Sequence, residues 1–236
     1  MKICVAYTAV TNGSRTSDFI ARFVATWKEF PPGVETDLVV NCNGGVLSTE
    51  QHLLFAGLRA KMFPRFNDDA RDISGHQAAA RGPCAGYDMV LFCGESVYFH
   101  RAGWLKRFVE TWNKLGPGFY GPFSSNSVRA HLNTTAFCAA PALVAGYPQV
   151  KTHQQSYHFE HGPFSMWRRA AAMGLPVRLV TWDGEWKPEE WRLPANILWK
   201  GTQENVLFFC NHVDRFFEAK PEVRWQWERN TNQPFK

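Results

Sequence analysis

The chain opens with an apolar, β-branched run over residues 2–8, passes through a helical pattern at 17–29, and returns to a second apolar run at 37–41. That order constrains the fold more than any other feature. Two short buried strands separated by one helix pair in parallel through a right-handed crossover, so an α/β sheet is expected. The helix places Phe19, Ile20, Phe23, Val24 and Trp27 at helical spacing and stops at Pro31-Pro32-Gly33. A helix at 49–58, an extended segment at 62–66, an Ala-rich helix at 73–81 and a buried strand at 89–92 continue the alternation. An amphipathic helix at 102–112 closes it, with Trp104, Leu105, Phe108, Val109 and Trp112 on one side.

After Gly116-Pro117-Gly118 the texture changes. A strand is expected at 133–139, a helix at 162–173, a strand at 177–181 and a helix at 204–209, within a tail rich in Trp and Pro. The segment 142–146 is ambiguous. With no internal repeat and no linker, 236 residues read as one domain built on one sheet.

A net charge of +5 with no Lys/Arg run argues against a nucleic-acid partner and mildly favours an anionic one. Ten Trp and nineteen Phe offer flat faces for sugars, although large aromatics more often fill a core. The six cysteines are scattered without zinc spacing, which points to a reducing, cytoplasmic setting. The N-terminus has no signal-like apolar region, and no stretch reaches the ~18–20 apolar residues of a spanning helix. A peripheral membrane contact through exposed Trp and Lys/Arg stays open.

Polar clusters interrupt this pattern at five places. Gly94-Glu95-Ser96 ends the strand at 89–92, where ligands of α/β sheets gather. Glu95 there suits a divalent ion or a ribose, and equally a plain turn. Asn67 to His76 carries Asp68, Asp69, Arg71 and Asp72; Asp72 suits a base or ribose and Arg65 or Arg71 a phosphate, unless the acids serve a helix start. His158-Phe159-Glu160-His161-Gly162 precedes the expected helix at 162–173, and Glu160 there could deprotonate a hydroxyl or simply cap. His153, His158 and His161 lack a recognised metal spacing. His131 suits acceptor or sugar hydroxyls, or a structural role. Asn211-His212-Val213-Asp214 offers a late phosphate or metal contact, or a helix C-cap, and Trp182, Trp186 and Trp191 offer a sugar platform or core.

In this order the clusters resemble GT-A-fold glycosyltransferases, in particular the bacterial enzymes of rhamnan and lipopolysaccharide side-chain synthesis. The resemblance rests on Asn67, Asp72 and Gly75, then Tyr87-Asp88 with Gly94-Glu95-Ser96, then Tyr120-Gly121-Pro122 with Arg129-Ala130-His131-Leu132, and finally Phe159-Glu160-His161-Gly162. It spans residues 1–215 in short motifs. It implies an α/β GT-A-like mixed sheet flanked by helices, with a nucleotide-sugar-binding half at 1–115 and an acceptor-side half at 116–236.

The implied activity is sugar transfer from a nucleotide-sugar donor to a glycan or lipid-linked acceptor in polysaccharide biosynthesis, inverting, with Glu160 as general base. Thr8 and Asp72 would lie by the nucleotide, with Arg65 and Ser96 on the same side. Glu95 would face the diphosphate or a Mn²⁺ or Mg²⁺ ion, joined by His212. His131, His161 and Trp186 would meet the acceptor or sugar. Glu95 stands where the family carries Asp, and Gly94 where it carries a polar residue, so metal dependence is open. A non-catalytic nucleotide or sugar binder of the same fold is the main rival. A nucleotidyltransferase ranks last, because Asn12-Gly13-Ser14-Arg15 is a poor phosphate loop.

Overall fold

The computed structural model describes residues 1–66, 71–127 and 129–233, with Arg71 placed by its backbone alone. Strands β1 (Ile3–Val10), β2 (Asp37–Asn43), β3 (Ala60–Arg65) and β4 (Met89–Cys93) are parallel. Strand β5 (Phe119–Gly121) is followed by a hairpin of β6 (Ser124–Ser125) and β7 (His131–Leu132). Then come β8 (Ala136–Ala139), β9 (Val177–Val180) and β10 (Glu185–Trp186). The main sheet runs β10-β9-β5-β8-β4-β1-β2-β3, with β8 antiparallel to both neighbours. One mixed sheet flanked by helices therefore joins the two halves of the chain, in the α/β plan expected.

Helices α1 (Thr16–Glu29), α2 (Thr49–Leu54), α3 (Arg71–Arg81) and α4 (Trp104–Leu115) connect the first strands. The apolar face of α1 lies on the sheet, with Phe23 stacked on Tyr7 at 4.1 Å. Trp104 of α4 stacks on Phe99 at 3.9 Å, fully buried. Gly75 lets α3 press close: a Cβ there would come within 2.4 Å of Asn41 Nδ2. All six cysteines are buried and free.

The second half differs more from its sequence pattern. The expected helix at 162–173 begins later, as α7 (Met166–Ala172), after the short α5 (Pro141–Ala145) and the unexpected α6 (His153–His161). Residues 204–208 form turns and bends, and Phe209 a lone antiparallel bridge to Tyr98, not a helix. The helix starts at Asn211 instead, as α8 (Asn211–Glu218), so Asn211 to Asp214 form its first turn rather than a C-cap. Helix α9 (Pro221–Thr231) follows. Its charged sequence buries little, with Thr231 its only buried side chain, which explains its faint apolar pattern. Among the described residues, no helix is long and apolar enough to cross a membrane.

Candidate active site

Strand β1 has β2 on one side and β4 on the other, so the chain reverses its direction of travel between β1 and β4. Open α/β sheets bind ligands outside the carboxyl ends of their strands at such a point. A cleft of about 430 Å³ opens on this rim, lined by Asp72, His131, Thr134, Glu160, His161, His212 and neighbours. Helix α3 contributes Asp72, and the turn entering β8 contributes Asn133, Thr134 and Thr135. Helix α6 contributes one face, His153, Ser156 and Glu160, at spacings of three and four. Phe159 holds α6 down, fully buried against Tyr147 at 4.7 Å.

The end of β4 shows why a glycine stands at position 94. A Cβ on Gly94 would lie 2.5 Å from Asp72 Oδ2, so the missing side chain makes room for a carboxylate delivered by α3. Tyr7, fully buried, donates its hydroxyl to the Glu95 carbonyl at 2.8 Å. Burial pushes that phenol well above its usual range, and the charges of Glu95 and Asp72 push it the same way. Both acids thus act on one strand end.

Glu160 was expected ahead of a helix and instead occupies the last turn of α6, where exposed carbonyls disfavour a negative charge. Side-chain partners supply the compensation. Oε2 accepts from Thr134 N–H at 2.6 Å and from the Thr134 hydroxyl at 2.5 Å. His161 Nε2 lies 2.7 Å from Oε1, and His131 Nε2 lies 3.8 Å from the same oxygen. Burial alone would raise the carboxyl, but the His161 hydrogen bond, the two imidazoles and the Thr134 hydroxyl outweigh it and hold it at about 2. Burial lowers His131 and His212 below the usual imidazole range.

The other expected residues are dispersed. Thr8 is fully buried beneath α3, its hydroxyl 3.2 Å from His76 Nδ1 and 3.5 Å from Asn41 Nδ2, so it does not reach the cleft. The close approach of α3 at Gly75 is the physical reason. Arg65 ends β3 and donates to Asn43 Oδ1 and, at 2.9 Å, to Ser74 Oγ. Ser96 donates to Asn211 Oδ1 at 3.1 Å, fastening the start of α8 to the strand end and bringing His212 to the cleft. Trp186 lies on β10, one of the two edge strands of the main sheet, with its indole N–H on Thr181 Oγ1 at 3.0 Å; it is not a wall of the cleft. Asn67, Asp68 and Asp69 lie outside the described residues.

The ion expected at Glu95 and His212 does not fit these two residues. Glu95 Oε2 lies toward the loop after β1, 3.9 Å from a Cβ built on Gly13, and Glu95 does not line the cleft that His212 lines. His131, Glu160 and His161 do gather, with ligand-type atoms all within 4.8 Å of one another.

Trp199 is the wall that the sequence pattern missed. Its φ of 59° is an outlier for a bulky residue, and Asn196 (54°) and Gln203 (56°) share the left-handed region nearby. Gln203, fully buried, accepts from Trp199 N–H at 2.7 Å, and the Trp199 indole N–H donates to the His212 carbonyl at 3.4 Å. A larger groove of about 820 Å³ lies on the other face of α6, but its lining includes no carboxylate. Asp72, Glu160 and the imidazoles of His131, His161 and His212 are in the smaller cleft, whereas the larger groove holds His158.

No protein-family model matches the chain, and no curated protein sequence matches it. Solved structures do resemble it. HddC from Yersinia pseudotuberculosis matches at a TM-score of 0.45 and 10% identity, over 61% of this chain and 80% of that one. Residues 1–349 of S. aureus TarS in complex with UDP match at 0.48 and 15%, over 66% and 53%. The galactosyltransferase LgtC with donor and acceptor sugar analogs matches at 0.45 and 11%, over 71% and 66%. The chain thus spans about half of the TarS fragment and two-thirds of LgtC.

Proposed function

We propose that the protein transfers a sugar from a nucleotide-sugar donor to a hydroxyl of a glycan or lipid-linked acceptor. The observation that carries this reading is the cleft itself. It opens beside the β1/β4 reversal, with Asp72 seated over Gly94 on one side and an ionised Glu160 opposite. The donor's nucleotide lies toward Asp72, on the strand-end side of the cleft. The acceptor enters beside His131, His161 and Trp199.

The displacement is inverting. The acceptor oxygen forms a bond to the anomeric carbon as the bond to the nucleoside diphosphate breaks, and the hydroxyl proton passes to Glu160. A carboxyl at about 2 is a weak base for a resting alcohol. The attacking oxygen becomes strongly acidic as its new bond forms, so the proton moves late and a weak base suffices. No step in this scheme runs through Mg²⁺ or Mn²⁺.

The test is release of nucleoside diphosphate from a panel of nucleotide sugars. Release with at least one donor is expected. Glu160→Gln should lower kcat by roughly 10²–10⁴ with little change in donor KM. Tight nucleotide binding without turnover on any donor would instead make the protein a binder of this fold.

A further inference from the structure

Deep in the cleft, three donor atoms converge that the transfer scheme does not need in this number. His131 Nδ1 lies 2.7 Å from the Arg129 carbonyl, a contact only an N–H can make. The proton is therefore on Nδ1, and Nε2 turns toward Glu160 Oε1 at 3.8 Å, too long for a hydrogen bond. His161 Nε2 approaches the same oxygen at 2.7 Å. Around a divalent ion bonded at about 2.0–2.2 Å, neighbouring ligand atoms stand roughly 3–3.6 Å apart, so small side-chain shifts fit all three to one ion.

The supports of such a site are also present. The Arg129 carbonyl fixes the ring of His131, and the Thr134 N–H and hydroxyl fix the second oxygen of Glu160. The His161 Nδ1 atom is buried without a hydrogen-bond partner, so nothing holds that ring in its present hydrogen bond from behind. Three protein ligands would leave one position open to the cleft.

We propose that His131, Glu160 and His161 bind one divalent ion of the Zn²⁺ or Co²⁺ type, at a site separate from the strand-end acids Asp72 and Glu95. Two imidazoles and one carboxylate suit such ions and discriminate against Mg²⁺, which takes oxygen ligands. The consequence for catalysis rests on the sugar-transfer reading. An ion at Oε1 takes the lone pair that would receive the acceptor proton, so it brakes transfer.

Titration of Co²⁺ into the chelator-treated full chain, followed by its visible absorption, tests the site, with Zn²⁺ and Mg²⁺ compared by calorimetry. One Co²⁺ or Zn²⁺ per chain is expected, with Mg²⁺ binding far weaker. His131→Ala and His161→Ala should each weaken Zn²⁺ by at least about 100-fold. His131→Gln, closer in size, serves if the alanine variant no longer unfolds cooperatively. Absence of Co²⁺ absorption and Zn²⁺ heat at tenfold excess, or unchanged affinity in the folded variants, overturns the site. Zn²⁺ that raises sugar transfer overturns the brake. Zn²⁺ binding in a protein that turns over no donor leaves the site standing and removes the transfer reading.

Discussion

Strand β4 and helix α4 are held by apolar packing: all five residues of β4 are buried, and Trp104 lies between Phe99, Trp27 and Phe208. The loop at 195–206 is held differently. There, Gln203 binds the Trp199 N–H, Asn205 donates to the Ala195 carbonyl at 3.1 Å, and Lys200 donates to the carbonyls of Arg192 and Pro194. The described non-glycine residues with positive φ all fall in this loop. Periodic packing builds the frame of the sheet, and local polar bonds shape the wall of the cleft. The first tolerates little loss of volume, the second little loss of a hydrogen-bond partner.

Trp104→Ala attacks the frame directly and should cost about 3–5 kcal/mol by denaturant unfolding. A loss under ~1 kcal/mol would break the contrast. Glu160 gives the next largest effect. Its folded carboxyl is at about 2 against an ordinary 4.5, so its stabilisation is complete above the ordinary value and is lost as pH falls through the folded one. At about 1.4 kcal/mol per unit, the advantage of the chelator-treated wild type over Glu160→Gln should shrink by about 3 kcal/mol between pH 6 and pH 2. A constant advantage across that range would show that the carboxylate is not held as described.

Gln203→Ala strips the loop of its central acceptor and should cost about 1–3 kcal/mol, with a higher acceptor KM as Trp199 shifts. A large loss of stability with an unchanged acceptor KM would detach the loop from the site. The smallest effect is expected at the clamp on α8. Arg22 pairs with Asp214 at 2.8 Å and covers the Tyr98 ring at 3.8 Å, but both charged side chains are partly exposed. Arg22→Ala should cost no more than about 1 kcal/mol.

The same contrast decided what the sequence disclosed. The strands and helices through residue 115 carry apolar residues at periods of two or 3.6, and their types were legible. Helix α6 was not, because only Phe159 of its nine residues is buried and its remaining signal was the Thr152–Gln155 capping box. The clusters at 72, 131, 160 and 212 were visible as misplaced polarity, and these four residues share the cleft. Thr8 and Trp186 lie away from the cleft, and the sequence does not show this, because burial under α3 and position on an outer strand depend on tertiary approach. Trp199 carried no pattern at all; its placement depends on a left-handed backbone that the sequence does not announce.

Nucleoside diphosphates offered singly to the wild type and to Asp72→Lys, with melting temperature followed, test the central claim most directly. A ligand bound only by the folded protein raises that temperature. One nucleobase should raise it for the wild type, and the reversed charge beside Gly94 should abolish the shift. No shift with any nucleotide, or the same shift in both proteins, would contradict a sugar-nucleotide site at this rim of the sheet.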